Sequence, residues 1–154
     1  MYFAMVVILM LAAPVGSVVI EHSLVYSAAP TMALIGKWFV FWAVGVRLAL
    51  AGLRQFFDPR FTSEQIFEIS GDDALPLVRE LGIANFAAGT VGILSLARPD
   101  FVLPSAIAAT IFYGVAGFGH AAQRKRNVRE TFAMATDLFA LAVLAAFSAY
   151  ALGL

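Results

Sequence analysis

The sequence predicts an all-α protein, a polytopic transmembrane bundle with a four-helix core and an additional N-terminal helix. Hydrophobic residues make up 62% of the chain and charged residues 13%, against about 45–50% and about 25% in soluble domains. The apolar residues form five runs of about the twenty residues that cross a bilayer. One of these runs, Trp38–Gln55, contains Arg47 well inside it. We therefore expect five spans arranged around a buried polar group.

The composition also excludes several classes of function. The net charge is zero, which argues against a nucleic-acid partner because phosphate binding needs a surplus of basic residues. The chain has no Cys, so disulfides, thiolate metal sites and thiol redox chemistry are excluded. At 154 residues we expect a single membrane domain, with the lipid bilayer as its first partner.

The first apolar run is predicted to be a retained helix over residues 2–20, ending before Glu21 and His22. A cleaved signal peptide is the alternative. That alternative is disfavoured because no basic segment precedes the run, and the run is longer than the apolar part of a signal peptide.

The second helix is predicted over residues 32–53, and Pro59 prevents its continuation. The sequence Thr62–Gln65 has the pattern of a capping box. It predicts a short turn over residues 62–69, which is too short to span a membrane and is expected to lie in the interface.

Three further helices are predicted over residues 74–96, 101–120 and 131–152. The first of these is rich in Ala and Gly, with Ala88 and Gly92 at the spacing that lets helices approach closely in lipid. The second ends at His120, and the third contains Asp137.

The positions of Lys and Arg predict the orientation. The positive-inside rule favours a cytoplasmic N-terminus and an outer C-terminus. The cytoplasmic side would then carry Arg54, Arg60, Arg79, Arg124, Lys125, Arg126 and Arg129, and the outer side Lys37 and Arg98.

Ionisable groups from four helices are predicted to share one layer in the cytoplasmic third of the membrane. At 1.5 Å per residue, three of them lie roughly 9 Å from the cytoplasmic ends of their helices. An unpaired charge at such a depth costs from about 3 to more than 10 kcal/mol, so these groups should interact. The predicted ligand-binding residues are Arg47, Gln55, Glu80, Asn85, His120 and Asp137, and no residue is predicted to be catalytic.

Arg47 and Glu80 are the expected ion pair, because a guanidinium and a carboxylate match in a bidentate geometry. Asp137 would then be an extra negative charge in the layer. Three solutions are open: Asp137 is protonated through desolvation, His120 carries a proton, or Asp137 pairs with the basic loop over residues 124–129.

The cluster has a structural interpretation, in which the ion pair only fastens helices, and a functional one, in which it binds a ligand or handles protons. A bis-His haem is not expected, because His22 and His120 would be about a bilayer core, roughly 30 Å, apart. A metal on His120, Glu80 and Asp137 has no ligand-spaced motif behind it. No phosphate-binding loop or Ser–His–Asp arrangement predicts catalysis.

Several segments resemble the DoxX-like small bacterial membrane proteins, and an uncharacterised group among them. These segments are Arg47–Gln55 with Pro59 and Phe61, RELGIANFAAGTVGILSL at 79–96 and FYGVAGFGH at 112–120. The matching positions are Arg47, Gln55, Glu80, Asn85 and His120. The resemblance covers residues 37–150 and implies a four-helix core in the bacterial inner (cytoplasmic) membrane. DoxX-like proteins are linked to quinone or thiosulfate redox systems, and the absence of Cys speaks against thiol-linked versions of that role.

Three functions follow as hypotheses. The first is a binding protein for a small amphiphile, with a quinone as the favoured headgroup. The second is an accessory subunit of a larger membrane complex, with other membrane subunits or a second copy as partners. The third is a proton-coupled transporter of small solutes, which needs an outer path that the sparse polar residues of the outer halves do not favour.

Overall fold

The computed structural model describes residues 2–24, 31–123, 125 and 127–154 as a bundle of helices, with no strand among them. Five helices are long and apolar enough to cross a membrane, which confirms the predicted fold class. A short helix, α3, lies between the second and third of them. The helices are α1 Phe3–Leu24, α2 Thr31–Phe57, α3 Pro59–Gln65, α4 Leu75–Leu94, α5 Pro99–Ala122 and α6 Val128–Leu152.

Helix α2 lies at the centre of the bundle and packs against each of the other long helices. Its middle, Val40–Val46, is π-helical, and a second π-helical segment, Ile8–Ala12, lies next to it in α1. A π-helical segment widens the helix and shifts its backbone hydrogen bonds by one residue, and such segments are frequent at functional sites. Val40, Ala43 and Val44 of this segment are buried in the hydrophobic core.

Helices α2 and α4 run antiparallel and touch backbone to backbone through glycines. A Cβ added at Gly45 would lie 2.7 Å from the carbonyl carbon of Gly92, and one at Gly52 would lie 2.5 Å from the carbonyl oxygen of Gly82. Close contact of this kind replaces the hydrophobic effect as the force between helices in lipid. The contact stripe is therefore glycine on both helices, whereas Ala88, which was predicted to belong to it, is exposed.

Helices α5 and α6 form an antiparallel hairpin. The Leu138 and Leu141 side chains of α6 pack onto Gly117 and Gly114 of α5. The hairpin also packs on α2, with Phe147 of α6 against Gly36, whereas α4 contacts α2 through Gly45 and Gly52. The polar ends of α2, α4, α5 and α6 thereby come together at one end of the bundle.

The connection after α2 differs from the prediction. Helix α2 continues to Phe57, and α3 begins at Pro59, with Asp58 in a non-helical conformation (φ −130°, ψ 64°) between them. Proline suits the first turn of a helix because its fixed φ is helical and its missing N–H would be unpaired there. Thr62 and Ser63 are consequently buried inside α3, and the prediction of a capping box that starts at Thr62 was wrong.

Candidate functional site

Arg47 and Asp137 form an ion pair between α2 and α6. Arg47 Nη2 lies 3.2 Å from Asp137 Oδ1, and the two side chains are 14% and 8% exposed. Such a pair needs further polar contacts to offset the loss of water around both ions. The pair gives the central helix a polar attachment to the last helix of the bundle.

The aromatic ring of Tyr113, in α5, packs against the guanidinium of this ion pair. Its ring lies under the guanidinium, with 5.1 Å between Arg47 Cζ and the ring centroid, which is within cation–π range. Its hydroxyl donates a hydrogen bond of 2.6 Å to the carbonyl oxygen of Ala43, inside the π-helical segment of α2. Tyr113 is fully buried. Tyr113 was not among the predicted site residues, because a Tyr among Phe and Val on an apolar helix has no sequence pattern that distinguishes it from a packing residue.

His120 pairs with Glu130 rather than with the layer of Arg47. His120 Nδ1 lies 3.2 Å from Glu130 Oε1, and the side chains are 13% and 6% exposed. Glu130 was missed because it comes directly after the basic loop, outside the helix that was predicted over residues 131–152. A signal was present, since Asn127 and Glu130 have the spacing of an N-cap. Asn127 Oδ1 accepts a hydrogen bond of 2.8 Å from the backbone N–H of Glu130.

Gln55 and Asn85 connect α2 and α4 through their amides. Asn85 Nδ2 donates to Gln55 Oε1 at 2.8 Å. The glycine contact between Gly52 and Gly82, three residues before each amide, brings the two helices close enough for this bond. Asn85 is buried with 5% exposure, so the amide pair occupies a rigid place between two tightly packed helices.

Five of these residues line one cavity of about 600 Å³ at the polar end of the bundle, and all six helices contribute to its wall. Its polar part contains five of the six predicted ligand-binding residues together with Arg54, Thr62 and Gln123. Its apolar part comprises Met5, Val6, Leu48, Leu50, Ala51, Phe61, Ile66, Phe67, Leu81, Phe112, Ala116 and Gly119. The predicted residues in the wall are Arg47, Gln55, Asn85, His120 and Asp137.

Glu80 is the predicted residue that the cavity does not include. It is exposed on α4, and its place explains why. Glu80 precedes Asn85 by five positions. At about 100° per residue, the two side chains point about 140° apart around the helix axis, on different faces of the helix. The depth of Glu80 along its helix did not indicate on which face of the helix its side chain lies.

The expected pair of Arg47 with Glu80 was therefore wrong. Asp137 takes the place of Glu80 as the carboxylate beside Arg47. This pairing is none of the three solutions considered for Asp137. One of those solutions was a pairing of Asp137 with the basic loop. Arg124 and Arg126 of that loop lie outside the described residues.

Helix α3 and the residues after it form part of the cavity wall at the polar end. Asn127 Nδ2 donates to Glu68 Oε1 at 2.9 Å and to the carbonyl oxygen of Ile66 at 3.4 Å. Arg129 donates to Gln65 Oε1 at 2.7 Å. Glu68 has a positive φ of 56°, an unusual conformation for a residue with a side chain. These contacts fasten the segment after α3 to the beginning of α6.

A second polar cluster joins the other ends of α1 and α2. Lys37 Nζ lies 2.8 Å from Glu21 Oε2, and Trp38 donates its indole N–H to the same carboxylate at 2.7 Å. One turn further along α2, Trp42 donates to Ser17 at 3.0 Å. The halves of α1 and α2 that lie away from the cavity thus carry more polar contacts than expected, and these contacts attach α1 to the bundle.

The two histidines, His22 and His120, lie far apart in the bundle. Val6 lines the cavity, and His22 follows it in the same helix at a distance of roughly 24 Å. His120 is at the cavity end. Over the described ranges, no three His, Asp or Glu side chains gather in the way that a metal ion requires.

The helices and this cavity define a multi-pass helical membrane protein with a polar cavity at one end of its bundle. The chain belongs to DUF6790, a family of unknown function that matches residues 1–153. The match includes α1, and it provides no link to the DoxX-like proteins that the motifs resemble. No curated protein and no solved structure matches the chain.

Proposed function

We propose that this protein binds a small amphiphile in the cavity beside Arg47, with a quinone-like headgroup as the favoured ligand. The observation that carries the proposal is the composition of the cavity wall, in which polar groups from α2, α4, α5 and α6 meet an apolar lining. Small-molecule sites have volumes of about 300–1,000 Å³ and combine apolar walls with a few placed polar groups. The cavity of about 600 Å³ fits that description.

Access to the cavity supports a ligand that arrives through the lipid. Leu50 and Phe112 line the cavity and are also exposed on the outer surface of the bundle, at 42% and 37%. An apolar tail is therefore able to continue from the cavity to the lipid-facing surface, while the headgroup remains next to Arg47. A fully water-soluble ligand would not need an apolar path from the cavity to the lipid-facing surface.

The proposed place of the protein is the bacterial cytoplasmic membrane, with the cavity at the cytoplasmic end. Arg54, Arg60, Arg79, Lys125 and Arg129 lie at the cavity end by their positions in the helices and loops, which the positive-inside rule assigns to the cytoplasm. Because the chain has no Cys, a single Ser70→Cys or Leu154→Cys variant gives labelling without background. Protection of position 70 and labelling of position 154 from outside intact cells are expected, and the reverse would contradict the orientation.

The binding proposal is tested by native mass spectrometry of the protein extracted gently from its own membrane. A reproducible small-molecule adduct is expected in the wild type and in Glu80→Gln, because Glu80 lies outside the cavity. The adduct should disappear in the double variant Arg47→Leu/Asp137→Leu, which removes both ions together. A bare chain, or an adduct that persists in the double variant, would contradict the proposal. A bare chain found with stoichiometric protein subunits would favour the accessory-subunit hypothesis.

A further inference from the structure

The charged groups in the cavity wall have partners within the protein. Arg47 is paired with Asp137 and His120 with Glu130, each at 3.2 Å. Arg54 stacks on Phe61 at 3.4 Å and lies 4.0 Å from Asp58. A charged headgroup would have to compete with these partners in a site of low dielectric constant, where separating a buried pair is costly. A neutral headgroup avoids this competition.

The amide pair, in contrast, has hydrogen-bonding capacity left over. Two amides offer two carbonyl oxygens and two NH₂ groups, and the bond between Asn85 and Gln55 uses one oxygen and one N–H. One carbonyl oxygen and one complete NH₂ group remain. If both amides are turned so that their oxygen and nitrogen atoms change places, one carbonyl oxygen and one NH₂ group again remain unused.

The remaining amide atoms reach the cavity. In the part of the chain that the structure describes, the fully enclosed side-chain polar atoms without a partner are the hydroxyls of Ser105 and Ser148. The unused atoms of Gln55 and Asn85 are not among them, and both residues line the cavity. The wall therefore presents a hydrogen-bond acceptor and a donor side by side, held in place by the glycine contact between α2 and α4.

We infer that Gln55 and Asn85 determine specificity for a neutral headgroup that carries both a hydrogen-bond donor and an acceptor, such as a quinol or another hydroxylated ring. This inference rests on the proposed function and specifies its ligand class. A quinone has acceptors only, and it would leave the amide oxygen unpaired on binding. An unpaired buried acceptor costs about 1–3 kcal/mol.

The test compares three probes on the protein in nanodiscs: decylubiquinol kept reduced without oxygen, decylubiquinone, and laurate as an anionic amphiphile. We expect the quinol to bind at least about tenfold more tightly than the quinone, which corresponds to about 1.4 kcal/mol, and more tightly than laurate. Either amide alone still offers one oxygen and one NH₂ group, so the variant that removes the discrimination is Gln55→Met/Asn85→Leu, in which the ratio of quinol to quinone affinity should fall towards one. Glu80→Gln should keep the wild-type ratio.

Equal affinities of the wild type for quinol and quinone would overturn the inference and leave the binding proposal standing. Tighter binding of laurate than of quinol would do the same, because it would show a site for anions. If none of the three probes binds, both the inference and the proposed quinone-like ligand fail. If the double variant does not fold, the comparison of quinol with quinone on the wild type decides the inference, because it needs no substitution.

Discussion

The hydroxyl of Tyr113 donates a hydrogen bond to the carbonyl oxygen of Ala43, 2.6 Å away across the interface between α5 and α2. The acceptor belongs to the π-helical segment Val40–Val46, and the ring that carries the hydroxyl lies under the guanidinium of Arg47. One side chain thus stabilises both an irregular backbone segment and a buried cation.

Tyr113→Phe should keep the ring under Arg47 and remove the hydrogen bond. The expected loss is about 1 kcal/mol of stability, together with faster hydrogen exchange of the amides in and just after the π-helical segment. Exchange mass spectrometry in nanodiscs measures the local effect. The matched control is Tyr150→Phe, because Tyr150 is exposed and should show neither change. Unaltered exchange in Tyr113→Phe would mean that the segment holds its shape without the hydroxyl.

Arg47→Leu should destabilise the protein strongly, because it leaves the carboxylate of Asp137 buried beside an apolar side chain. Removing one member of a buried ion pair typically costs about 3–5 kcal/mol. Adding Asp137→Leu in the same molecule should restore most of the lost stability, as measured by thermal unfolding in detergent. Glu80→Leu on the exposed face of α4 should change it by less than about 0.5 kcal/mol. Restoration by Glu80→Leu instead of Asp137→Leu would show that the pairing is wrong.

Gly89→Ala should destabilise the contact between α2 and α4. A Cβ at this position would overlap the backbone nitrogen of Ala49, and a rigid backbone neighbour has little room to move. The expected cost is about 1–3 kcal/mol or more, with a lower unfolding temperature as the readout. Gly16→Ala is the control, since a Cβ there has no neighbour within 4 Å. In that variant we expect no loss, or a gain of up to about 1 kcal/mol from helix propensity.

Asn127 has two separable roles at the polar end. Asn127→Ser should keep an oxygen that caps α6 and lose the amide donor to Ile66 and Glu68. Asn127→Ala should lose both, at a further cost of about 1 kcal/mol. Hydrogen exchange at residues 66–69 should rise equally in both variants, whereas the first turn of α6 should loosen in the Ala variant alone. Identical behaviour of the two variants throughout would contradict the separation.

The sequence was sufficient for the five spans and for five of the eight polar residues of the cavity wall, because long apolar runs and buried polar side chains leave a strong pattern. It was also sufficient to predict that Arg47 and Asp137 share one level of the bundle, since their side chains are in contact. It was insufficient for the partner of Arg47, since depth along a helix does not determine which way a side chain points. Glu80 and Asp137 have similar depths, and only helix packing distinguishes them.

Contacts between distant segments account for the other omissions. The bond from Tyr113 ends on Ala43, inside the π-helical segment of α2, and no residue pattern in the sequence predicted that segment. The contact of Gly45 with Gly92 joins residues on two helices, so the stripe on α4 could not be located before its partner was known. The attachment of Glu21 to Lys37 likewise needed the packing of α1 on α2.

The ion pair between Arg47 and Asp137 spans 90 residues of the chain, and this separation has a consequence for biogenesis. Synthesis proceeds at about 5–20 residues per second, so roughly 5–18 s pass between the translation of Arg47 and that of its counter-ion. During that interval Arg47 of α2 has been made, and Asp137, the carboxylate that it pairs with in the folded protein, has not. We expect α2 to remain near the translocon, or to enter the bilayer with low efficiency, until α6 has been made. A nascent chain that ends after α5 should therefore insert α2 less completely than the full chain does.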